Sequence, residues 1–189
     1  MKRRSFYVIN GITLYRIVAA PLLFVLVFTK HYDAFKWLLG LSFFTDLIDG
    51  YLARKYKVTS ILGTKLDSIG DDLTVAAGIV GLLVFKPEFI EEEIIPLGIT
   101  LVLFLIQTSL AFFRYGKMTG FHTYLAKIAA VLQGVCLLMI FFTHQPNKFL
   151  FYAAVTITCI ELIEEIILVI LLKEWKANIK GLYWIIANR

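Results

Sequence analysis

Apolar residues along this 189-residue chain run in six long blocks rather than in short alternating patches. The blocks cover roughly 9–29, 33–54, 61–86, 93–113, 121–143 and 148–172. Each is about 20 residues or longer, the length a helix needs to cross the hydrocarbon of a bilayer. The connections between them are short and polar, so successive helices should lie antiparallel in a compact bundle. The pattern predicts an all-α integral membrane protein, a six-transmembrane-helix bundle forming one domain over 1–189. No linker and no internal repeat interrupts it.

Composition points the same way. Hydrophobic residues make up 59% of the chain and charged residues only 17%. A soluble domain sits near 45–50% and about 25%. This excludes a soluble domain, a disordered tail and a nucleic-acid binder that uses its net charge of +5 as a docking face. The basic residues then set the orientation, because the cytoplasmic side of a membrane protein holds most Lys and Arg. With the N-terminus inside, 15 of the 19 fall on the cytoplasmic side, and only Lys30, Lys36, Lys86 and Lys148 lie outside. Both termini are therefore expected in the cytoplasm. The opening Met-Lys-Arg-Arg imitates a signal peptide, but Arg16 breaks the apolar run and no small-residue cleavage site follows. The C-terminal stretch, with Glu174, Trp175, Leu182, Tyr183, Trp184 and Ile185 among lysines, reads as an interfacial amphipathic helix. Cys136 and Cys159 fall inside spans and read as packing residues.

The acids carry the chemistry. Asp33, Glu88, Glu91, Glu92 and Glu93 are expected in solvated outer loops, although Glu91 to Glu93 could chelate a cation. Eight others lie in or at the ends of spans, where a carboxylate is costly and marks function by default. Five of these, Asp46, Asp49, Asp67, Asp71 and Asp72, surround the second inside turn. Asp46, Asp49, Gly50 and Ala53 share one helical face, and Ser60, Gly63, Asp67 and Asp71 share another. Four carboxylates can so converge between two neighbouring helices. They would repel one another, and Arg54 and Lys65 are too few to neutralise them. Hard divalent cations are the natural counterions. Mg²⁺ or Mn²⁺ takes oxygen ligands and shares its shell with phosphates. A pair of such ions about 4 Å apart is the arrangement used for displacement at phosphorus. The small residues on the same faces let a ligand approach backbone, or serve helix packing.

Written out, Asp46-x2-Asp49-Gly50-x2-Ala53-Arg54-x8-Gly63-x3-Asp67-x3-Asp71 resembles the signature of the CDP-alcohol phosphotransferase family, D-x2-D-G-x2-A-R-x(7–8)-G-x3-D-x3-D. Eight fixed positions would coincide by chance on the order of once in 10¹⁰ registers, so the match is specific. The resemblance implies transfer of a substituted phosphate from a CDP-linked donor to an alcohol, with release of CMP. It implies a two-metal site on Asp46, Asp49, Asp67 and Asp71, with Asp71 also the general base. It assigns Asn10, Gly50, Ala53, Arg54 and Gly63 to the nucleotide. It further implies a homodimer in the bacterial inner membrane or its equivalent, with the site facing the cytoplasm and CDP-diacylglycerol drawn from the surrounding lipids.

The acceptor is read more coarsely. Asn10-x2-Thr13-x2-Arg16-x4-Pro21 looks like the start of the phosphatidylglycerophosphate-synthase-like members. Arg114, Lys117 and Lys127 would suit an acceptor that carries a phosphate, glycerol 3-phosphate first. The positive-inside rule and anionic lipid heads supply a blander account of the same cations, and His122 beside them reads as a packing residue. Ser68 after Asp67, and Asp72 after Asp71, depart from that subgroup. Serine, inositol, inositol phosphate or phosphatidylglycerol therefore stand as alternative acceptors. Glu161, Glu164 and Glu165 lie outside the signature and are expected to pair within the bundle or at a dimer contact. The rival from another class is a small transporter or channel that uses intramembrane carboxylates. It would spread its acids through the membrane in related halves, whereas here they crowd one end.

Overall fold

The computed structural model describes residues 15, 18–56, 61–117, 119–143, 145–176 and 179–187, and for 46–56, 61–69, 71 and 72 it describes the backbone alone. The described residues form helices joined by non-helical connections, with no strand among them. The helices are α1 (Val18–Phe28), α2 (Tyr32–Tyr56), α3 (Ile61–Phe85), α4 (Pro87–Glu92), α5 (Ile94–Tyr115), α6 (Tyr124–Phe142), α7 (Lys148–Leu171) and α8 (Leu182–Ala187). The chain forms two compact units, Met1–Ile90 and Glu91–Arg189.

In the first unit α1 ends in a Schellman turn. His31 N–H donates to Leu26 O at 2.9 Å, Lys30 N–H donates to Val27 O at 3.1 Å, and Lys30 takes the left-handed position with φ 57°. That turn reverses the chain into α2. Helix α2 buries Phe35, Leu39 and Ser42, and α3 buries Thr74, Ala77, Gly78, Gly81 and Leu82, each set recurring at helical spacing. Tyr32 meets the edge of Phe85 with ring centroids 5.3 Å apart, and Phe35 lies 5.3 Å from the same ring. The start of α2 therefore packs on the end of α3, which makes the two antiparallel. At Gly81 a Cβ would overlap the Phe35 ring, so the close approach requires glycine there. Gly81→Val should destabilise this unit by about 1–3 kcal/mol through overpacking. A lower melting temperature in detergent, partly restored by adding Phe35→Leu, is the expected result.

The second unit is built around α7, which packs against both α5 and α6. Its interior holds polar side chains among apolar ones, while large apolar side chains lie outside. Gln107 and Ala111 are the buried residues of α5, whereas Ile95 is 72% and Phe113 87% exposed. Gln133 Nε2 donates to Thr158 Oγ1 at 2.7 Å between α6 and α7, and Thr100 Oγ1 lies 3.7 Å from Cys159 Sγ between α5 and α7. Side-chain hydrogen bonds joining helices whose outer faces are apolar are what a bilayer environment selects. Helices α5 and α6 are, among the described residues, the two long and apolar enough to cross a membrane. The fold is that of an all-helical protein consistent with a membrane setting.

Three local expectations are corrected. Glu88, Glu91 and Glu92 lie in α4 rather than in a loop, and Asp33 lies in the first turn of α2. Glu93 is not solvated: it is 2% exposed, accepts from Tyr152 Oη at 2.8 Å and lies 3.6 Å from Lys148 Nζ. The C-terminal stretch is not one helix. Glu174 and Trp175 are in non-helical chain, and α8 begins only at Leu182. The cause is backbone pairing with the α5–α6 loop, where Ile179 N–H donates to Phe121 O at 2.7 Å and Tyr124 N–H to Lys180 O at 3.2 Å. Hydrogen bonds spent on another segment are lost to a helix.

Candidate functional site

Asp46, Asp49, Gly50, Ala53 and Arg54 lie on the last three turns of α2, and Gly63, Asp67 and Asp71 on the first three turns of α3. Their backbone is described and helical, so the i, i+3 and i, i+4 relations of the motif hold in space; their side chains lie outside the described set. Asn10 lies outside the described residues altogether.

The register of the helix pair is fixed from its far end. Tyr32 and Phe85 are in contact. Asp46 follows Tyr32 by fourteen residues and Asp71 precedes Phe85 by fourteen. At 1.5 Å per residue both positions lie about 21 Å along the pair. Asp49 follows Tyr32 by seventeen residues and Asp67 precedes Phe85 by eighteen, about one turn further on for each helix. The four aspartates therefore occupy two matched levels of one antiparallel pair, near the end where Tyr56 is followed within five residues by Ile61. Four hard carboxylate oxygen donors at paired levels fit Mg²⁺ or Mn²⁺ in chemistry.

The three cations considered for an acceptor are described in full, and all lie in the second unit. Arg114 ends α5, and its Nε donates to Leu172 O at 3.2 Å, the carbonyl just past α7. Tyr115 Oη donates to the same carbonyl at 3.0 Å and to Val169 O at 3.0 Å. Lys117 Nζ sits 5.5 Å from the centre of the Trp175 ring, and Lys127 Nζ 5.4 Å from that of Tyr124. The α5–α6 loop thus brings Arg114, Lys117 and Lys127 to one end of the unit. His122 is exposed with φ 50° and so is not a packing residue.

The profile of the CDP-alcohol phosphatidyltransferase family matches residues 6–163, which include the whole Asp46–Asp71 motif and most of both units. The chain belongs to the CDP-alcohol phosphatidyltransferase family. Within the family, the CDP-diacylglycerol–inositol 3-phosphatidyltransferase of Saccharomyces cerevisiae is 37% identical over 83 residues, 44% of this chain and 37% of that protein. The cardiolipin synthase (CMP-forming)/mitochondrial hydrolase fusion protein of Schizosaccharomyces pombe is 29% identical over 131 residues, 66% of this chain and 20% of that protein. The CDP-diacylglycerol–glycerol-3-phosphate 3-phosphatidyltransferase of Rickettsia typhi is 30% identical over 124 residues, 59% of this chain and 68% of that protein. The chain thus spans well under half the length of the first two of these relatives. No solved structure matches it.

The partners of the α7 acids escaped the sequence reading. Glu165 Oε2 accepts from Gln107 Nε2 at 2.7 Å and from Thr119 Oγ1 at 2.9 Å, and Glu164 Oε1 accepts from Leu182 N–H at 2.8 Å. The signal available was the demand of a buried acid for donors; nothing in chain order named Gln107, 58 residues away.

Proposed function

We propose that this chain moves the phosphatidyl group from CDP-diacylglycerol to glycerol 3-phosphate and releases CMP. The observation that carries the proposal is the complete aspartate motif on two matched levels of an antiparallel helix pair, inside the region that matches the family. The choice of acceptor is supported by the name of the Rickettsia relative, which the chain covers more fully than the other two, and by the cations on and beside the α5–α6 loop. Inositol is the second reading, favoured by the yeast relative and by Ser68 after Asp67.

In this reading Asp46, Asp49, Asp67 and Asp71 would hold two Mg²⁺ or Mn²⁺ ions, which when bound neutralise the pyrophosphate of the donor. Gly50, Ala53 and Gly63 leave room for the cytidine nucleotide, with Asn10 and Arg54 at its edge. Arg114, Lys117 and Lys127 attract and orient the acceptor phosphate. Asp71 takes the proton of the attacking hydroxyl. The acceptor oxygen bonds to the lipid-side phosphorus as the bond to the CMP oxygen breaks, without a covalent enzyme intermediate. The proposal includes six membrane spans in one domain over 1–189, cytoplasmic termini and site, and a homodimer.

The test is CMP release by purified protein with CDP-diacylglycerol and Mg²⁺ or Mn²⁺, run across glycerol 3-phosphate, serine, inositol, inositol phosphate and phosphatidylglycerol. Release with glycerol 3-phosphate is expected. Release with another acceptor alone would reassign the substrate, and silence with all five from protein that binds CDP would overturn this donor and acceptor pair. Failure to bind CDP would return the transporter reading.

A further inference from the structure

Helix α7 carries acids that the transfer chemistry leaves unused. A carboxylate inside a membrane helix is costly unless donors reach its oxygens. Here the donors come from two other helices, α5 and α8, and from one non-helical segment, the α5–α6 loop. Glu165, 8% exposed, holds Gln107 Nε2 and Thr119 Oγ1, and the Gln107 amide also donates to Thr119 Oγ1 at 2.6 Å. These three side chains close a triangle joining α7, α5 and the middle of the α5–α6 loop. The adjacent Glu164 takes the backbone N–H of Leu182, at the start of α8. Neighbouring acids thus hold the α5–α6 loop at Thr119 and the start of α8 at Leu182, and the segment before α8 is bonded to the same loop through Ile179 to Phe121 and to the start of α6 through Tyr124 to Lys180.

The loop is anchored on its far side by Phe121, which is fully buried in the apolar cluster with Ala111, Leu168, Val169, Leu172 and Ile179, while Thr119 is the described loop side chain that hydrogen-bonds to α7. The loop opens on Gly116 at φ 66°, turns again at His122 at φ 50°, and ends at Thr123, whose hydroxyl accepts from Ala126 N–H at 3.1 Å as the cap of α6. The cations lie on either side of the gripped residue: Arg114 and Lys117 before Thr119, and Lys127 after it. Multipoint binding of a phosphate depends on such spacing, because a cation displaced by an ångström loses its hydrogen bond.

We infer that Glu165 is a positioning residue for a phosphate-bearing acceptor, setting the α5–α6 loop through Thr119 so that Arg114, Lys117 and Lys127 face one anion. The inference rests on the transferase reading above. It separates from a merely structural role by which Michaelis constant moves. A brace for the fold alone would affect donor, acceptor and turnover together. A brace for the acceptor cations moves the acceptor constant by itself.

The experiment measures CMP release by the full chain, with CDP-diacylglycerol as donor and glycerol 3-phosphate as the varied acceptor. Thr119→Val removes one hydroxyl at nearly constant shape. It should raise the acceptor KM roughly three- to ten-fold, the worth of one hydrogen bond, with donor KM and kcat within about twofold. Glu165→Ala should raise the acceptor KM further, and Glu165→Gln, which keeps an oxygen for Thr119, should recover most of the loss. An unchanged acceptor KM in Thr119→Val, or equal movement of both constants, overturns the inference and leaves the transferase reading intact. Thr119→Val decides the matter by itself if Glu165→Ala does not fold. Wild-type release with inositol but not with glycerol 3-phosphate overturns the inference and spares the phosphatidyl transfer. Wild-type silence with every acceptor overturns both.

Discussion

Asp71→Asn should slow CMP release by about 10²–10⁴-fold, the range a positioned general base supplies, while leaving metal-dependent nucleotide binding largely in place. The asparagine amide keeps the size of the carboxylate and one ligating oxygen, but it does not take a proton from the acceptor hydroxyl. The base role is the one the family resemblance implies for Asp71. That residue stands opposite Asp46, one turn deeper into the pair than Asp67 and Asp49, as the contact of Tyr32 with Phe85 sets the register. Single-turnover CMP release beside equilibrium binding of a CDP nucleotide separates the two effects. Turnover within a few-fold of the parent would remove Asp71 from the base role.

Much of the first unit was legible because its signals are local. The apolar block 33–54 became α2 at Tyr32–Tyr56, and 61–86 became α3 at Ile61–Phe85. Helical spacing of Asp46, Asp49, Asp67 and Asp71 needed only the helices to form. What the sequence left open is which rings meet at the far end, and that contact sets the levels. Phe35 against Gly81 illustrates the limit. A glycine in an apolar run reads equally as packing or as ligand space until its neighbour is known.

The second unit was legible in its blocks and opaque in its connections. Blocks 93–113, 121–143 and 148–172 became α5, α6 and α7 within a few residues. The strap after Leu172 was misread as helix because Trp175, Leu182, Tyr183 and Trp184 among lysines satisfy an amphipathic pattern. Its backbone instead pairs with Phe121 and Tyr124, more than 50 residues earlier. Glu93 was misread for the same reason, since its partners Tyr152 and Lys148 lie on α7. Periodicity reports the face a residue takes and never the segment that covers it.

Asp67→Asn should weaken metal and CDP binding together, and turnover with them. Asp67 is matched in level with Asp49, so in the proposed site a carboxylate there would share with the opposite helix the charge that holds two cations against a pyrophosphate. Losing an outer partner of a metal ligand costs about 10–100-fold in affinity or activity, and the loss of a ligand itself should exceed that. Asp46→Asn should behave in the same way, because it removes the corresponding charge from α2. Asp72→Asn is the control. It is one residue from Asp71, about 100° around the helix, and should keep the metal dependence of the parent. Titrating Mn²⁺ by its paramagnetic signal, with and without a CDP nucleotide, reads both affinities in one sample. Coupled loss in Asp67→Asn against parental behaviour in Asp72→Asn would place the cations between α2 and α3. Unchanged metal dependence in both would place them elsewhere.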